Sequence, residues 1–167
     1  MENNTVYQTI SELFSVSLQL EREAQILYTK WANAFASYPE VASFWSQYAQ
    51  EEADHARFLE EVRSSLSREQ LMSGTGVTSF STTFTLLQNL KQTEAKIKNL
   101  DDAYVFAEAM EHSEINTLFE FLVSRSPRVE AELNKVSEKI SKHINRLADD
   151  FPQEFRTSDA RRNVKVN

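Results

Sequence analysis

Along four stretches of this chain the apolar residues return every three or four positions, and that spacing commits most of the molecule to amphipathic helices. The first stretch runs from about Thr5 to Phe35 on Val6, Ile10, Leu13, Leu20, Ala24, Leu27, Tyr28 and Trp31. The second runs from about Pro39 to Ser65 on Val41, Phe44, Trp45, Tyr48, Leu59 and Val62, with Ser37 placed to cap it. A third starts at Asp101 and Asp102 and carries Tyr104 to Leu122 as one long helix. The fourth follows Ser126-Pro127 and reaches about Asp149 on Val129, Leu133, Val136, Ile140, His143 and Leu147. Only 2 glycines and 3 prolines in 167 residues leave little material for the turns of a β fold. The fold class is therefore all-α. The periodic stretches place one helical domain over residues 1–150, and the polar segment 151–167 is expected to be an extended or mobile tail.

Connection lengths add topology. The links between helices one and two and between three and four are short, so each pair forms an antiparallel hairpin. Between the hairpins lie about 35 residues, from Leu66 to Leu100, enough to travel back along a helix roughly 35–40 Å long. This segment holds Gly74 and Gly76, a run of Ser and Thr, and a weaker helical pattern at Phe84, Leu87, Leu90 and Ile97 that predicts a short helix. Two hairpins joined by one long crossover is the connectivity of ferritin-like four-helix bundles.

Charge and composition narrow the partners. A formal net charge of −7 disfavours nucleic acid or an anionic membrane as the main partner. The absence of cysteine excludes disulfides, thiol catalysis and thiolate metal sites. The start Met1-Glu2-Asn3-Asn4 lacks the basic and apolar regions of a signal peptide, and no run nears the roughly 18 apolar residues of a membrane span. The expected location is cytoplasmic.

The functional signal lies where the apolar stripes are interrupted. On helix two the stripe passes through Glu52 and His55, three apart and so on one face, the buried one. Helix one brings Glu21 onto its inward series, helix three brings Glu111 and Glu114, and helix four brings His143. Taken singly, each has a plain alternative: an inward Glu read from a helical wheel is often a misassigned surface residue, and a lone His is often a satisfied core histidine or a helix-end cation. Their coincidence on all four helices changes the balance. Four carboxylates facing one another in a dry interior, with no Lys or Arg on these series, require protons or a cation. Carboxylate and imidazole donors suit iron, manganese or zinc. Tyr28, Trp31, Trp45 and Tyr48 read as core packing.

The segments Glu21-Arg-Glu-Ala24-Gln-Ile-Leu-Tyr28, Glu52-Ala-Asp-His55 and Glu111-His-Ser-Glu114 resemble, in order and spacing, the rubrerythrin-like branch of the ferritin-like superfamily. The resemblance covers about residues 5–149. It implies an iron centre with one or two metals per chain, in which Glu52 bridges, Glu21 and His55 hold one metal, and Glu111, Glu114 and His143 hold the other. It also implies peroxide reduction or ferrous-iron oxidation with peroxide or dioxygen as substrate, and a homodimer. The second half repeats the first in degenerate form, His143-Ile-Asn-Arg-Leu147 paralleling His55-Ala-Arg-Phe-Leu59. At the position matching Glu52, however, stands Ile140, and Glu138 lies about 140° round the helix from His143. A symmetric metal pair is thereby put in question. The cysteine-rich rubredoxin-type module of full-length rubrerythrins is missing, so a redox cycle would draw on an external electron donor. The alternatives are a non-catalytic metal-binding protein and a helical scaffold with a partly lost site.

Overall fold

The computed structural model describes residues 9–76, 83–93, 96–126 and 133–166. Helix α1 (Ile10–Ala34) begins at Thr9, whose hydroxyl accepts the Glu12 amide while the Glu12 carboxylate accepts the Thr9 amide. This reciprocal cap fixes the start of the helix. The expected earlier start at Thr5, and Val6 with it, lies outside the described residues. Helix α2 (Pro39–Ser65) has Tyr38, not Ser37, at its cap position, with no side-chain cap bond. Pro39 at the first helical position presets the backbone and removes one of the amides that a cap would serve.

Helices α1 and α2 pack along each other as the first hairpin. The crossover contains α3 (Arg68–Met72) and α4 (Thr83–Thr93), the short helix expected there, and α4 returns along α1. Leu90 is buried and Ile97 packs on the core, while the side chains of Phe84 and Leu87 lie outside the described residues. The fourth helix is α7 (Leu133–Asp149); its expected start at Pro127, and Val129, also lie outside them.

The third helix departs from expectation. It is broken into α5 (Leu100–Glu111) and α6 (Glu114–Val123) between the two carboxylates read as a pair. Ser113 accounts for the break: its hydroxyl donates to the Met110 carbonyl at 2.5 Å and accepts the Ile115 amide at 3.4 Å. Asn116 then donates to the Glu111 carbonyl at 2.8 Å. Side chains thus satisfy the groups that an unbroken ladder would have used.

The segment after Asp150 is folded, correcting the expectation of an extended or mobile tail. Phe151 is buried with its ring centroid 4.8 Å from that of Phe44 and 4.9 Å from that of Tyr104. A 3-10 turn (Gln153–Phe155) and helix α8 (Ser158–Arg162) follow. Arg161 is buried, donating to Asp101 Oδ1 at 2.8 Å and to the Phe155 and Arg156 carbonyls at 3.2 and 2.7 Å, with its guanidinium 3.9 Å above the Tyr104 ring. The Leu100 amide donates to the Val164 carbonyl at 2.9 Å and the Val166 amide to the Lys98 carbonyl at 3.2 Å. The polar composition concealed anchors too sparse to give a periodic stripe.

The architecture is an all-α ferritin-like bundle whose aromatic core, with Tyr28, Trp45 and Tyr48 fully buried, sits between α1 and α2. Among the described residues, extended pairing is limited to the isolated bridges Thr9–Gly74 and Asn99–Lys165. No helix among them is long and apolar enough to cross a membrane.

Candidate metal centre

Four helices each bring a polar side chain to one point in the interior because each holds it on a stripe that is otherwise apolar. Glu21 comes from α1, Glu52 and His55 from α2, Glu111 from the last residue of α5, and His143 from α7. Glu21, Glu52, Glu111 and His143 are buried, none more than 4% exposed. The side chain of His55 is 18% exposed, so this ring marks the solvent side of the cluster. Glu114, the sixth residue expected here, opens α6, and its side chain lies outside the described residues.

The contacts close a ring of donors. His143 Nε2 is 2.9 Å from Glu111 Oε2 and 3.1 Å from Glu52 Oε1. His55 Nδ1 is 3.2 Å from Glu52 Oε2 and 3.5 Å from Glu21 Oε2. Glu52 therefore lies between the two imidazoles, whose centroids are 4.9 Å apart. One donor atom each from Glu52, His55 and His143 fall within 4.8 Å of one another. Tyr28 donates its hydroxyl to Glu111 Oε1 at 2.5 Å, and Asn116 Nδ2 donates to Glu111 Oε2 at 3.3 Å, so Glu111 is held from two sides.

Burial and charge act in opposite directions on these groups. Burial pushes the Glu21 carboxyl up to about 8, with His55 pulling the other way and Glu52 adding to the rise. For Glu52, burial is outweighed by His143 and His55, and its carboxyl is held well below the usual range. Burial would lower both imidazoles, but the carboxylates beside them prevail: Glu21 and Glu52 hold His55 at about 10, and Glu111 and Glu52 hold His143 at about 11. At neutral pH the cluster keeps protons in the places where a cation would sit.

Three buried atoms show how well a metal ion fits. Both carboxylate oxygens of Glu21 and Nε2 of His143 make no hydrogen bond. The oxygens near His143 Nε2 are within range but out of line with its N–H direction. Buried polar atoms left without partners are costly, and a bound cation offers such donor atoms a partner. The donor set of carboxylate oxygens and imidazole nitrogens suits iron, manganese or zinc. The residues fit the group.

Two features set this site apart from a symmetric one. Ile140, one turn before His143 on α7, is 3% exposed and offers no donor. Glu51, absent from the inward series, places Oε2 2.5 Å from His143 Nδ1, and its other oxygen pairs with Arg146. Arg146 also donates to Gln47 Oε1 at 2.8 Å. An arginine thus does approach the cluster, but at its rim and on Glu51, leaving the inward carboxylates to the histidines. No sequence signal marked Glu51: Gln47 and Glu51 are four apart on the flank of the α2 stripe and His143 and Arg146 three apart on α7, but neither spacing tells that the two pairs meet. Tyr28, read as packing, is also a hydrogen-bond partner of the site.

An all-α bundle with carboxylates and histidines converging from its helices defines the ferritin-like class of metal-centre proteins. The chain matches the rubrerythrin family over residues 12–142 and belongs to that family. No match is found among curated proteins or solved structures.

Proposed function

We propose that this chain binds iron at Glu21, Glu52, His55, Glu111 and His143, with Glu114 completing the set, in an asymmetric centre that reduces peroxide. The observation that carries this reading is the trio of buried atoms without hydrogen bonds, Glu21 Oε1, Glu21 Oε2 and His143 Nε2, the last of them beside Glu52 and Glu111. Bound iron would supply a Lewis acid and a change of oxidation state. The chain's own residues would do the rest. Glu52, between two imidazoles, would be a metal ligand shared by both halves of the cluster. Glu21, protonated at neutral pH in the metal-free protein, would give up that proton on binding the metal. Tyr28 and Asn116 keep Glu111 from swinging away. The aromatic wall of Tyr28, Trp45 and Tyr48 excludes water from the inner side. Reduction of one peroxide to two waters consumes two electrons and two protons, and in a chain without cysteine the electrons come from an external donor.

A second reading is favoured by Ile140. With a buried aliphatic residue in place of a carboxylate, the centre would hold a single metal for storage or delivery, with manganese or zinc as alternatives to iron. The test is elemental analysis of protein from iron-supplemented cells, followed by anaerobic loading with ferrous iron and mixing with hydrogen peroxide or dioxygen. Iron at one to two per chain with rapid peroxide consumption supports the first reading. Ferrous oxidation by dioxygen without peroxide turnover assigns ferroxidase chemistry, and bound iron inert to both assigns storage. Absence of bound metal removes all three. A cytoplasmic homodimer is the setting we propose from family membership, and light scattering tests its size.

A further inference from the structure

A buried hydroxyl on α1 stands outside the ligand set. Ser17 lies four residues before Glu21 on the inward stripe of α1, among Leu13, Leu20 and Ala24, and is 1% exposed. Its Oγ makes no hydrogen bond. A helical serine or threonine readily satisfies itself by donating to the carbonyl four residues back. On the same helix Ser15 donates to the Ser11 carbonyl at 3.0 Å and Thr29 to the Gln25 carbonyl at 2.8 Å, both on the exposed side. Ser17, where burial makes an unpaired hydroxyl most costly, does not. Four residues span about 6 Å along a helix. Side chains lean toward the helix N-terminus, so the Glu21 carboxyl is carried over the turn that holds Ser17. Both Glu21 oxygens are likewise buried without a hydrogen bond. Hydroxyl and carboxyl thus share one stripe, one turn apart, and do not satisfy each other.

A buried hydroxyl without a partner costs stability that an apolar side chain would not, and a ligand that meets it accounts for its presence. We propose that the Ser17 hydroxyl and the Glu21 carboxylate form the subsite that receives hydrogen peroxide at the centre and favours it over dioxygen. This rests on the metal-binding reading and on peroxide as its substrate. A carboxylate that gives one oxygen to a metal keeps the other as an acceptor, and a hydroxyl both donates and accepts. Hydrogen peroxide, with two O–H donors and lone pairs on both oxygens, answers that pair. Dioxygen has no proton to donate and is a poor acceptor. A site built to hydrogen-bond a substrate O–H rejects a molecule lacking it, because its own buried polar groups are then left unpaired. Beyond Ser17 the stripe continues toward the helix start through Phe14, Leu13 and Ile10, all buried and apolar, so the polar path on α1 ends at this hydroxyl.

Ser17→Ala separates this role from a structural one. Removing an unpaired hydroxyl should leave Tm unchanged or raise it, whereas removing a structural hydrogen bond would lower it. Cobalt(II) is titrated into the metal-free wild type and Ser17→Ala. Azide, a short anion that ligates metals and accepts hydrogen bonds, is then titrated into both cobalt forms, following their visible absorption. The expected result is equal cobalt affinity and azide affinity lower by about tenfold in Ser17→Ala, the loss of one hydrogen bond to a charged acceptor. In the iron-loaded proteins KM for peroxide should rise by about tenfold with kcat little changed, and ferrous oxidation by dioxygen should lose less. Equal azide affinity in the two proteins, or none in either, overturns the inference and leaves the metal site standing. A fall in Tm or in cobalt affinity assigns Ser17 a structural role and also overturns it. An unchanged KM for peroxide, or an equal loss with dioxygen, overturns the assignment to peroxide. A wild type that binds metal but does not turn over peroxide removes the substrate and this inference with it; one that binds no cobalt, zinc or iron overturns the metal reading itself.

Discussion

Replacing Ile140 by glutamate tests the asymmetry of the centre directly. Ile140 is 3% exposed on α7, one turn before His143, where the internal repeat has a glutamate on α2. Removing its buried aliphatic surface costs about 2–3 kcal/mol. Placing a carboxyl there without a cation adds about 1–3 kcal/mol, as a proton taken up or a polar group left poorly paired. The metal-free variant is therefore expected to be less stable by about 3–6 kcal/mol, which for a chain of this size lowers Tm by roughly 6–24 °C. Metal should return much of it, since a site filled at a hundred times its Kd contributes about 2.7 kcal/mol. The variant should thus gain more Tm from added iron or manganese than the wild type does, and its metal content should rise toward two per chain. Differential scanning calorimetry with and without metal, combined with elemental analysis, reads both quantities. A variant that stays folded with unchanged metal content and an unchanged metal-induced rise in Tm would refute the placement of position 140 toward the centre.

Two further outcomes follow from the same contacts. Because Glu21, His55 and His143 bind protons up to about pH 8, 10 and 11 in the metal-free protein, metal uptake at pH 7 should expel about two to three protons, and affinity should climb steeply as pH rises from 6 to 8; a pH-stat titration with zinc releasing fewer than one proton per metal would contradict this protonation pattern. Asp101, whose carboxyl is held below its usual range by Ser158 and Arg161 against the opposing effect of burial, contributes stability that is present above about pH 4 and lost as pH falls through its lowered folded-state value. Asp101→Asn should lower stability at pH 7 by about 2–4 kcal/mol by leaving buried Arg161 without its charge partner and should flatten the acid limb of the stability profile, both measured by urea unfolding between pH 3 and 7.

Helix periodicity made the bundle legible, because burying one face of each helix leaves an unmistakable repeat of three and four. The inward carboxylates and histidines were legible for the same reason: Glu21, Glu52, His55, Glu111 and His143 sit on stripes whose other members are apolar. The break at Ser113 was not, since it depends on a serine hydroxyl and Asn116 replacing ladder hydrogen bonds, and both residue types are common inside helices. Glu51 and Arg146 escaped because their meeting depends on how α2 approaches α7, which no single-helix pattern encodes. The folded segment after Asp150 was hidden because its anchors, Phe151, Arg161 and Val164, follow no regular period.

That folded segment bears on the centre through α5, a rod of 12 residues and so about 18 Å long. At its first turn the rod is riveted by Asp101 to Arg161 and by Leu100 to Val164; at its last residue Glu111 is gripped by Tyr28 and Asn116. A stiff strut clamped at both ends transmits displacement. Loosening the rivets at the Arg161 end should therefore let the Glu111 carboxylate wander, so that substitutions far from the Glu/His cluster change its geometry.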